Sequence, residues 1–351
     1  MRYTKLILAV ICFLLVSCGT ESTQDEWKGS WEGMGLHDSQ ILAMSFSNNM
    51  LFVGTNNGAY KGEVGKDIDW QEIGLNTATT EVTKIISWDS QNILASVRHD
   101  TIRQEDKVLF KSTDGGISWE GRPLELQDES NNYSYIYFLD YDSMNPTTLY
   151  GYSGYILRSN NMGQTWERIF TGGVSEFLYV SKDHPNQVWT GGWNNIFSPY
   201  LVKSEDGGET WTDLNEEIYF NTEANVYAAV IHPESEKTVL VGLGGSVGSA
   251  NVIRKSKNGG ENWSTVLEGY NIRSLKNSGL NPNRVYASGR SPQGQLFVAI
   301  SEDYGDSWEI ETFAQSPSGI QTTEMIVTEI ENKETLFLAT NRGVYSLTLE
   351  E

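Results

Sequence analysis

One eight-residue pattern occurs five times in this chain, and it constrains the fold more than any other feature. The pattern is Ser-x-Asp/Asn-x-Gly-x-x-Trp, and successive copies begin 47, 45, 52 and 45 residues apart. Repeats of this length are typical of β-propeller blades, where each repeat is a small sheet that stacks on its neighbours. The chain is therefore predicted to be one ring of repeats. The five copies, named the box turns, are residues 112–119, 159–166, 204–211, 256–263 and 301–308.

Each position of the pattern has a mechanical role in a tight turn between two strands. The acid or amide accepts hydrogen bonds from backbone N–H groups, Gly takes the positive φ, and Ser bonds locally. The Trp opens the next strand and packs between neighbouring sheets. Because the same chemistry recurs in every copy, a structural role is favoured over catalysis or calcium binding. The residues concerned are Asp114, Asn161, Asp206, Asn258 and Asp303, with Trp119, Trp166, Trp211, Trp263 and Trp308.

The segments between the box turns predict three further strands in each of seven repeats. The last repeat ends without a Trp strand, whereas Trp31 begins a segment similar to those at Trp70 and Trp119. We therefore predict an all-β fold over residues 27–351: a seven-bladed β-propeller with four-stranded blades, whose N-terminal strand closes the last blade. First strands are predicted near residues 41–46, 82–88, 135–141, 176–181, 226–232, 272–276 and 325–329.

The box turns resemble the Asp-box, also called the BNR repeat. Propellers with this repeat include sialidases, other polysaccharide-acting enzymes, sortilin-like receptors and the photosystem II stability/assembly factors. The resemblance covers nearly all of residues 27–351. It implies a propeller that either binds a partner or acts on a polysaccharide.

The N-terminal segment predicts where the protein resides. Residues 1–17 combine a short charged start with the apolar run 6–16, which is typical of a secretory signal peptide. The segment Leu15-Val16-Ser17-Cys18-Gly19 resembles the bacterial lipobox, which implies cleavage before Cys18 and a lipid on that residue. An ordinary signal peptide with a chance cysteine is the alternative. Residues 18–26 are small, polar and acidic, so they predict a flexible tether. We expect a protein of the bacterial cell envelope, lipid-anchored to a membrane and either periplasmic or surface-facing.

Charge narrows the classes of partner. The 351 residues include 25 Lys and Arg against 46 Asp and Glu, a formal net charge of −21. This balance argues against nucleic acid, because neutralising phosphates requires a basic surface. The sequence contains no P-loop and no His-Glu-x-x-His motif, and we predict neither a cofactor nor a metal.

Signals for an enzyme are weak. No Arg-Ile-Pro motif of sialidases occurs, and no motif marks the pair of carboxylates that a glycoside hydrolase requires. A uronate lyase needs a base beside a cation, which Arg98, His99 and Arg103 could supply. We predict a non-enzymatic, lipid-anchored propeller that binds a protein or a glycan. A glycoside hydrolase or uronate lyase is the alternative.

The loops between second and third strands form the predicted binding face. The chain changes face at every turn, so the box turns share the opposite face with the first-to-second turns. The loops are irregular and carry arginines and aromatic residues, which suit an anionic or sugar-like ligand or a protein hot spot. Ordinary solvated loop residues are the alternative interpretation. The candidates are Arg98, His99, Tyr152, Tyr155, Trp193, Arg290 and Arg342, accompanied by Asn56, Asn57, Asn194 and Asn341.

Overall fold

A computed structural model describes residues 28–65, 67–76, 80–99, 107–127, 135–194, 198–218, 224–245 and 251–350. Within these residues, 28 strands form seven four-stranded antiparallel sheets that are arranged as a β-propeller. The predicted seven-bladed fold is confirmed. The predicted signal segment, Cys18, the whole of the predicted tether and Arg103 lie outside the described residues.

The first strand, β1 (Lys28–Gly35), belongs to the last blade, and the other blades follow in chain order. Blade 1 contains β2 (Ile41–Ser47), β3 (Met50–Thr55), β4 (Gly58–Glu63) and β5 (Gln71–Glu72). Blade 2 contains β6 (Thr80–Ser87), β7 (Ile93–His99), β8 (Leu109–Ser112) and β9 (Glu120–Arg122). Blade 3 contains β10 (Phe138–Tyr141), β11 (Leu149–Tyr152), β12 (Ile156–Ser159) and β13 (Glu167–Phe170). Blade 4 contains β14 (Val174–Val180), β15 (Val188–Trp193), β16 (Pro199–Ser204) and β17 (Thr212–Asp213).

The only helix among the described residues, α1 (Asn215–Ile218), follows blade 4. Blade 5 contains β18 (Asn225–His232), β19 (Ser235–Gly244), β20 (Val252–Ser256) and β21 (Ser264–Glu268). Blade 6 contains β22 (Asn271–Asn277), β23 (Val285–Arg290), β24 (Leu296–Ser301) and β25 (Glu309–Phe313). Blade 7 contains β26 (Thr322–Ile330), β27 (Lys333–Thr340), β28 (Gly343–Glu350) and, as its outer strand, β1. In the described part of the chain, no helix has the length and apolar character needed to cross a membrane.

The core lies between the blades. Each blade is covered on both faces by its neighbours, so the middle strands are continuous apolar runs rather than alternating ones. In β27, Leu336, Phe337, Leu338 and Ala339 are all fully buried. An apolar core cluster can contain residues of two neighbouring blades: one such cluster joins β23 and β24 of blade 6 to β27 of blade 7. The apolar contacts therefore join the blades into one ring.

The box turns have the local geometry that their sequence predicts. In blade 2, the Ser112 hydroxyl accepts a hydrogen bond from the Gly116 N–H at 2.8 Å, and Asp114 Oδ1 accepts one from the Ser118 N–H at 2.9 Å. Gly116 has a φ of +86°, which only glycine adopts without strain. Hydrogen bonds from the Ser118 hydroxyl and backbone lower the pKa of Asp114 to about 2. In the other four turns the Gly N–H likewise donates to the Ser hydroxyl, at 2.8, 2.7, 2.8 and 2.6 Å.

Two tryptophans at the start of fourth strands bond to the preceding blade, whereas Trp166 and Trp211 donate to the Gly163 and Gly208 carbonyls of their own box turns at 3.2 and 3.1 Å. Trp119 of blade 2 donates its indole N–H to the Ile73 carbonyl of blade 1 at 2.6 Å. Trp70 of blade 1 donates to the Met34 carbonyl of β1 at 2.6 Å. The indoles of Trp119 and Trp70 thus cross from one sheet to the next.

The ring is closed by β1, as predicted. It pairs with β28 over seven residue pairs, from Lys28 with Glu350 to Gly35 with Val344. Trp31 stacks on Phe313 of blade 6 with ring centroids 5.5 Å apart, and its indole N–H donates to Glu311 at 3.2 Å. The outer strand of blade 7 thus also contacts the outer strand of blade 6.

Candidate functional site

The two faces of the ring can be identified from hydrogen bonds. Each box turn bonds to the first-to-second turn of its own blade, for example Gly115 N–H to the Gln91 carbonyl and Gly207 N–H to the Asn186 carbonyl, both at 2.9 Å. These turns define the box face. The opposite face, named the link face, holds the starts of first strands and the ends of second strands, which pair in register as Phe138 does with Tyr152.

A cavity of about 460 Å³ lies on the propeller axis, where the seven first strands converge. In six of these strands the pairing register shifts by one residue near the link face, which is a β-bulge that re-aims a side chain. In blade 3, Tyr137 stands directly before β10 at the equivalent position. All seven residues line the cavity and form its mouth. This bulge ring consists of Leu42, Thr83, Tyr137, Glu176, Tyr227, Arg273 and Thr323.

Two threonines of the bulge ring join neighbouring blades. Thr83 donates its hydroxyl to the Ile136 carbonyl of the next blade at 3.0 Å, and Thr323 donates to the Ile41 carbonyl at 3.0 Å. Their hydroxyls are therefore used for structure. The four other polar members, from blades 3 to 6, are the ones that can offer chemistry to a ligand.

Charge and aromatic surface meet in blades 4 to 6 of the ring. The Arg273 guanidinium lies 3.4 Å from the centre of the Tyr227 ring, a cation–π contact, and its Nε donates to Asn271 at 3.0 Å. Glu176 accepts a hydrogen bond from the Trp193 indole at 3.3 Å. Burial raises the pKa of the Glu176 carboxyl, while the positive charge of Arg273 partly opposes that shift.

An aromatic patch borders the mouth at blades 2 and 3; it consists of Arg98, Tyr135, Tyr137 and Tyr152. The ring centroids of Tyr135 and Tyr137 are 4.4 Å apart, and those of Tyr137 and Tyr152 are 6.1 Å apart. Arg98 forms an ion pair with Glu81 and lies 5.6 Å above the Tyr135 ring. Tyr137 has 42% of its surface exposed, so a ligand at the mouth can stack on it.

Further titratable groups lie deeper, in or beside the channel. Lys84 of blade 2 and Glu324 of blade 7 form an ion pair at 3.0 Å, and Glu324 also accepts the Met44 N–H of blade 1 at 3.1 Å. Asp140 accepts the backbone N–H groups of Tyr141 at 2.9 Å and Val180 at 3.2 Å. Burial raises the pKa of Asp140 and lowers that of Lys276, which also lines the cavity.

The structure separates the residues predicted from the sequence into two groups. Arg98, Tyr152 and Trp193 come together around the channel mouth through the contacts described above. The remaining candidates lie elsewhere on the link face. His99 donates Nε2–H to the Lys107 carbonyl at 2.8 Å, Tyr155 packs under the Arg168 guanidinium at 4.2 Å, and Arg290 and Arg342 are exposed in blades 6 and 7.

The asparagines of the link face bond to backbone. Asn56 Oδ1 accepts from the Gln40 N–H at 3.2 Å, and Asn341 Oδ1 accepts from the Gln321 N–H at 3.0 Å. Asn194 Oδ1 accepts from the Ser198 N–H at 3.3 Å, whereas Asn57 donates its own backbone N–H to Thr55. These contacts fix turns and the starts of first strands.

Sequence reasoning missed the residues of the bulge ring and their neighbours. Glu176, Arg273 and Lys276 belong to strands that were predicted correctly, but their place on the axis was not recognised. Each of these strands carries charged residues, but its sequence does not mark which of them faces the axis. The described residues contain no group of three His, Cys, Asp or Glu side chains arranged to hold a metal.

Comparison with known proteins relates this fold to several propellers. No protein-family model matches the sequence, and no curated protein matches it. A structure of YCF48 bound to a D1 peptide is 16% identical, with a TM-score of 0.65 over 92% of this chain and 97% of that one. The chain has the fold of YCF48.

Two further structures have the same fold. A GH74 xyloglucanase from Xanthomonas campestris is 13% identical, with a TM-score of 0.63 over 91% of this chain, which spans only 53% of the enzyme. A chain of the mitotic checkpoint complex is 12% identical, with a TM-score of 0.64 over 98% of this chain and 99% of that one. Propellers of this fold therefore occur in binding assemblies and in enzymes.

Proposed function

We propose that this protein is a non-enzymatic, lipid-anchored propeller of the bacterial cell envelope that binds a partner, a protein rather than a glycan, at the channel mouth on the link face. The observation that carries the proposal is the joining of the aromatic patch with the Glu176, Tyr227 and Arg273 side chains around one cavity. Tyr, Trp and Arg are the residues that dominate protein hot spots. The box turns, in which the Asp-box resemblance lies, support the ring and leave the link face to recognition.

The structural neighbours support a protein partner. YCF48 was solved with a D1 peptide, so a propeller of this fold can hold a peptide. The GH74 neighbour and the raised pKa of Glu176 favour the alternative, in which Glu176 is the general acid of a polysaccharide-acting enzyme. If the protein hydrolysed a polysaccharide and Glu176→Gln abolished that hydrolysis, the function would be catalysis and not binding.

The binding face can be tested with a native-membrane pull-down that uses the full chain as bait, paired with a glycan array. We expect Tyr137→Ala and Arg98→Glu to reduce partner capture about tenfold or more, because both remove a hot-spot side chain at the mouth. Matched controls are Ile117→Ala and Met144→Ala, since both residues are exposed apolar side chains on the box face. Loss of capture in these controls, with normal capture by the link-face variants, would show that the partner binds the box face and not the link face.

The anchor is proposed from the lipobox resemblance at Cys18. The path of β1 supports a consistent orientation: its first residue, Lys28, pairs with Glu350 at the box-face end of β28. Lys28 thus begins the propeller at the box face, on the side opposite the channel mouth.

Lipidation predicts a specific mass and a specific distribution. We expect mass spectrometry to find Cys18 as the mature N-terminus, with lipid on its thiol and on its new α-amino group, and fractionation to find the protein in membranes. Cys18→Ala should release it into the soluble fraction, because the lipid is the proposed attachment. An unmodified Cys18 in a soluble wild-type protein would contradict the anchor.

A further inference from the structure

Among the described residues, Lys276 is the basic side chain of the deep channel that has no hydrogen-bond acceptor. It lies on β22 and lines the axial cavity, and within the described residues its ammonium makes no hydrogen bond and no ion pair. Unlike Lys276, the two nearby carboxylates have bonded partners. Glu324 pairs with Lys84 and accepts the Met44 N–H, and Asp140 accepts two backbone N–H groups. Lys276 therefore presents unused hydrogen-bond donors to the cavity.

The position of Lys276 can be reached from the link face. Arg273 stands at the mouth, and Lys276 follows three residues later on the same strand, about 10 Å deeper at the usual rise per residue. The cavity between them measures about 460 Å³, within the range of small-ligand pockets. The charges that act on Lys276 are those of Glu324, Lys182, Asp140 and Lys84, two negative and two positive. An anion that enters the cavity would thus give the Lys276 ammonium the directly bonded negative partner that these four side chains do not provide.

The surroundings favour a carboxylate over other acceptors. Both deep carboxylates of the protein bind backbone N–H groups at the inner edge of a first strand, at Met44 and at Val180. One carboxylate of the cavity lining, that of Glu324, therefore already serves as an acceptor, and charged hydrogen bonds of this kind are the stronger ones. The Met44 and Val180 N–H groups already have these acceptors, so the carboxylate of an extended peptide would go to the Lys276 ammonium. A polyuronate would bring a negative charge on every ring toward a protein of net charge −21.

We propose that the axial channel is a receptor for a single carboxylate, carried by an acidic side chain or the C-terminus of an extended peptide segment, which enters from the link face and binds the Lys276 ammonium. This inference rests on the proposed binding function and names the chemistry of its ligand. The aromatic patch and Arg273 would hold the residues that precede the carboxylate.

The site can be probed first with acetate alone, by thermal unfolding of the full mature protein at constant ionic strength. We expect about 200 mM acetate to raise the Tm by about 2 °C, because a ligand of the native state stabilises it, and acetamide to have no effect. Lys276→Met should abolish the shift while folding at least as well as wild type, since it replaces a half-buried lysine that makes no ion pair within the described residues. The control Lys257→Met removes an exposed lysine of the box face and should keep the shift. Equal acetate shifts in wild type and Lys276→Met would overturn the proposal.

The source of the carboxylate is tested with a random heptapeptide library that has free or amidated C-termini, beside an oligogalacturonide series. We expect bound peptides to carry an acidic residue or a free C-terminus, and their affinity to fall tenfold or more in Lys276→Met. Binding of oligogalacturonides alone, or of peptides without regard to their carboxylates, would overturn the peptide assignment, as would no binding at all. Partner capture that depends on Tyr137 but not on Lys276 would leave the proposed function intact and remove only this inference.

Discussion

Deletion of residues 27–34 is expected to lower the free energy of unfolding by about 5 kcal/mol or more. The deletion removes nearly all of β1, which makes seven residue pairs with β28. Each lost backbone hydrogen bond contributes about 1 kcal/mol net, and the loss of a packed tryptophan adds to them. The outer edge of β28 would also become an unpaired edge. For a ring of this size the change corresponds to roughly 7 °C in Tm, measured by circular dichroism or calorimetry.

The control for this deletion keeps the strand and changes one contact. Trp31→Phe retains an aromatic ring over Phe313 but loses the hydrogen bond to Glu311, so we expect a loss of only about 1 kcal/mol. An unchanged Tm in the deletion variant would show that the ring does not depend on closure by β1.

The fold could be predicted from the sequence because its strongest signals are local and repeated. A box turn needs only the residues within its own eight positions, and it sets how the third and fourth strands meet in blades 2 to 6. The closing strand was also predictable, since Trp31 stands in the same local pattern as Trp70 and Trp119. The bounds were less accurate in blade 3, where the predicted first strand 135–141 is observed as Phe138–Tyr141.

The candidate site could be predicted only in part, because its geometry is set by a feature that one sequence does not show. A one-residue bulge places Glu176 and Arg273 at the channel mouth, and nothing in either strand marks where the register shifts. Loop arginines were chosen because arginines are scarce, yet Arg98 packs on the aromatic patch while Arg290 and Arg342 are exposed in other blades. The distance of a side chain from the axis is a property of the closed ring, so no local pattern reports it.

Loss of one buried carboxylate between blades 6 and 7 is expected to have the second large effect. Glu334 on β27 is 2% exposed and accepts hydrogen bonds from the Tyr286 hydroxyl at 2.6 Å, Arg284 at 3.0 Å and the Gly279 N–H at 3.0 Å. Glu334→Ala would leave all three donors without this acceptor. We expect a loss of about 3 kcal/mol, at the low end for a broken buried ion pair, because Arg284 keeps its ion pair with Glu302 at 2.6 Å.

Two comparisons separate the charge network from simple loss of a side chain. Glu329→Ala removes an exposed glutamate of the same blade and should change the free energy of unfolding by no more than about 0.5 kcal/mol. The double variant Arg284→Ala/Glu334→Ala should cost clearly less than the sum of the two single variants, because each single variant already loses the Arg284–Glu334 ion pair and the double variant loses it only once. Additive losses in this cycle, measured by denaturant unfolding, would contradict a coupled network and assign the stability to packing alone.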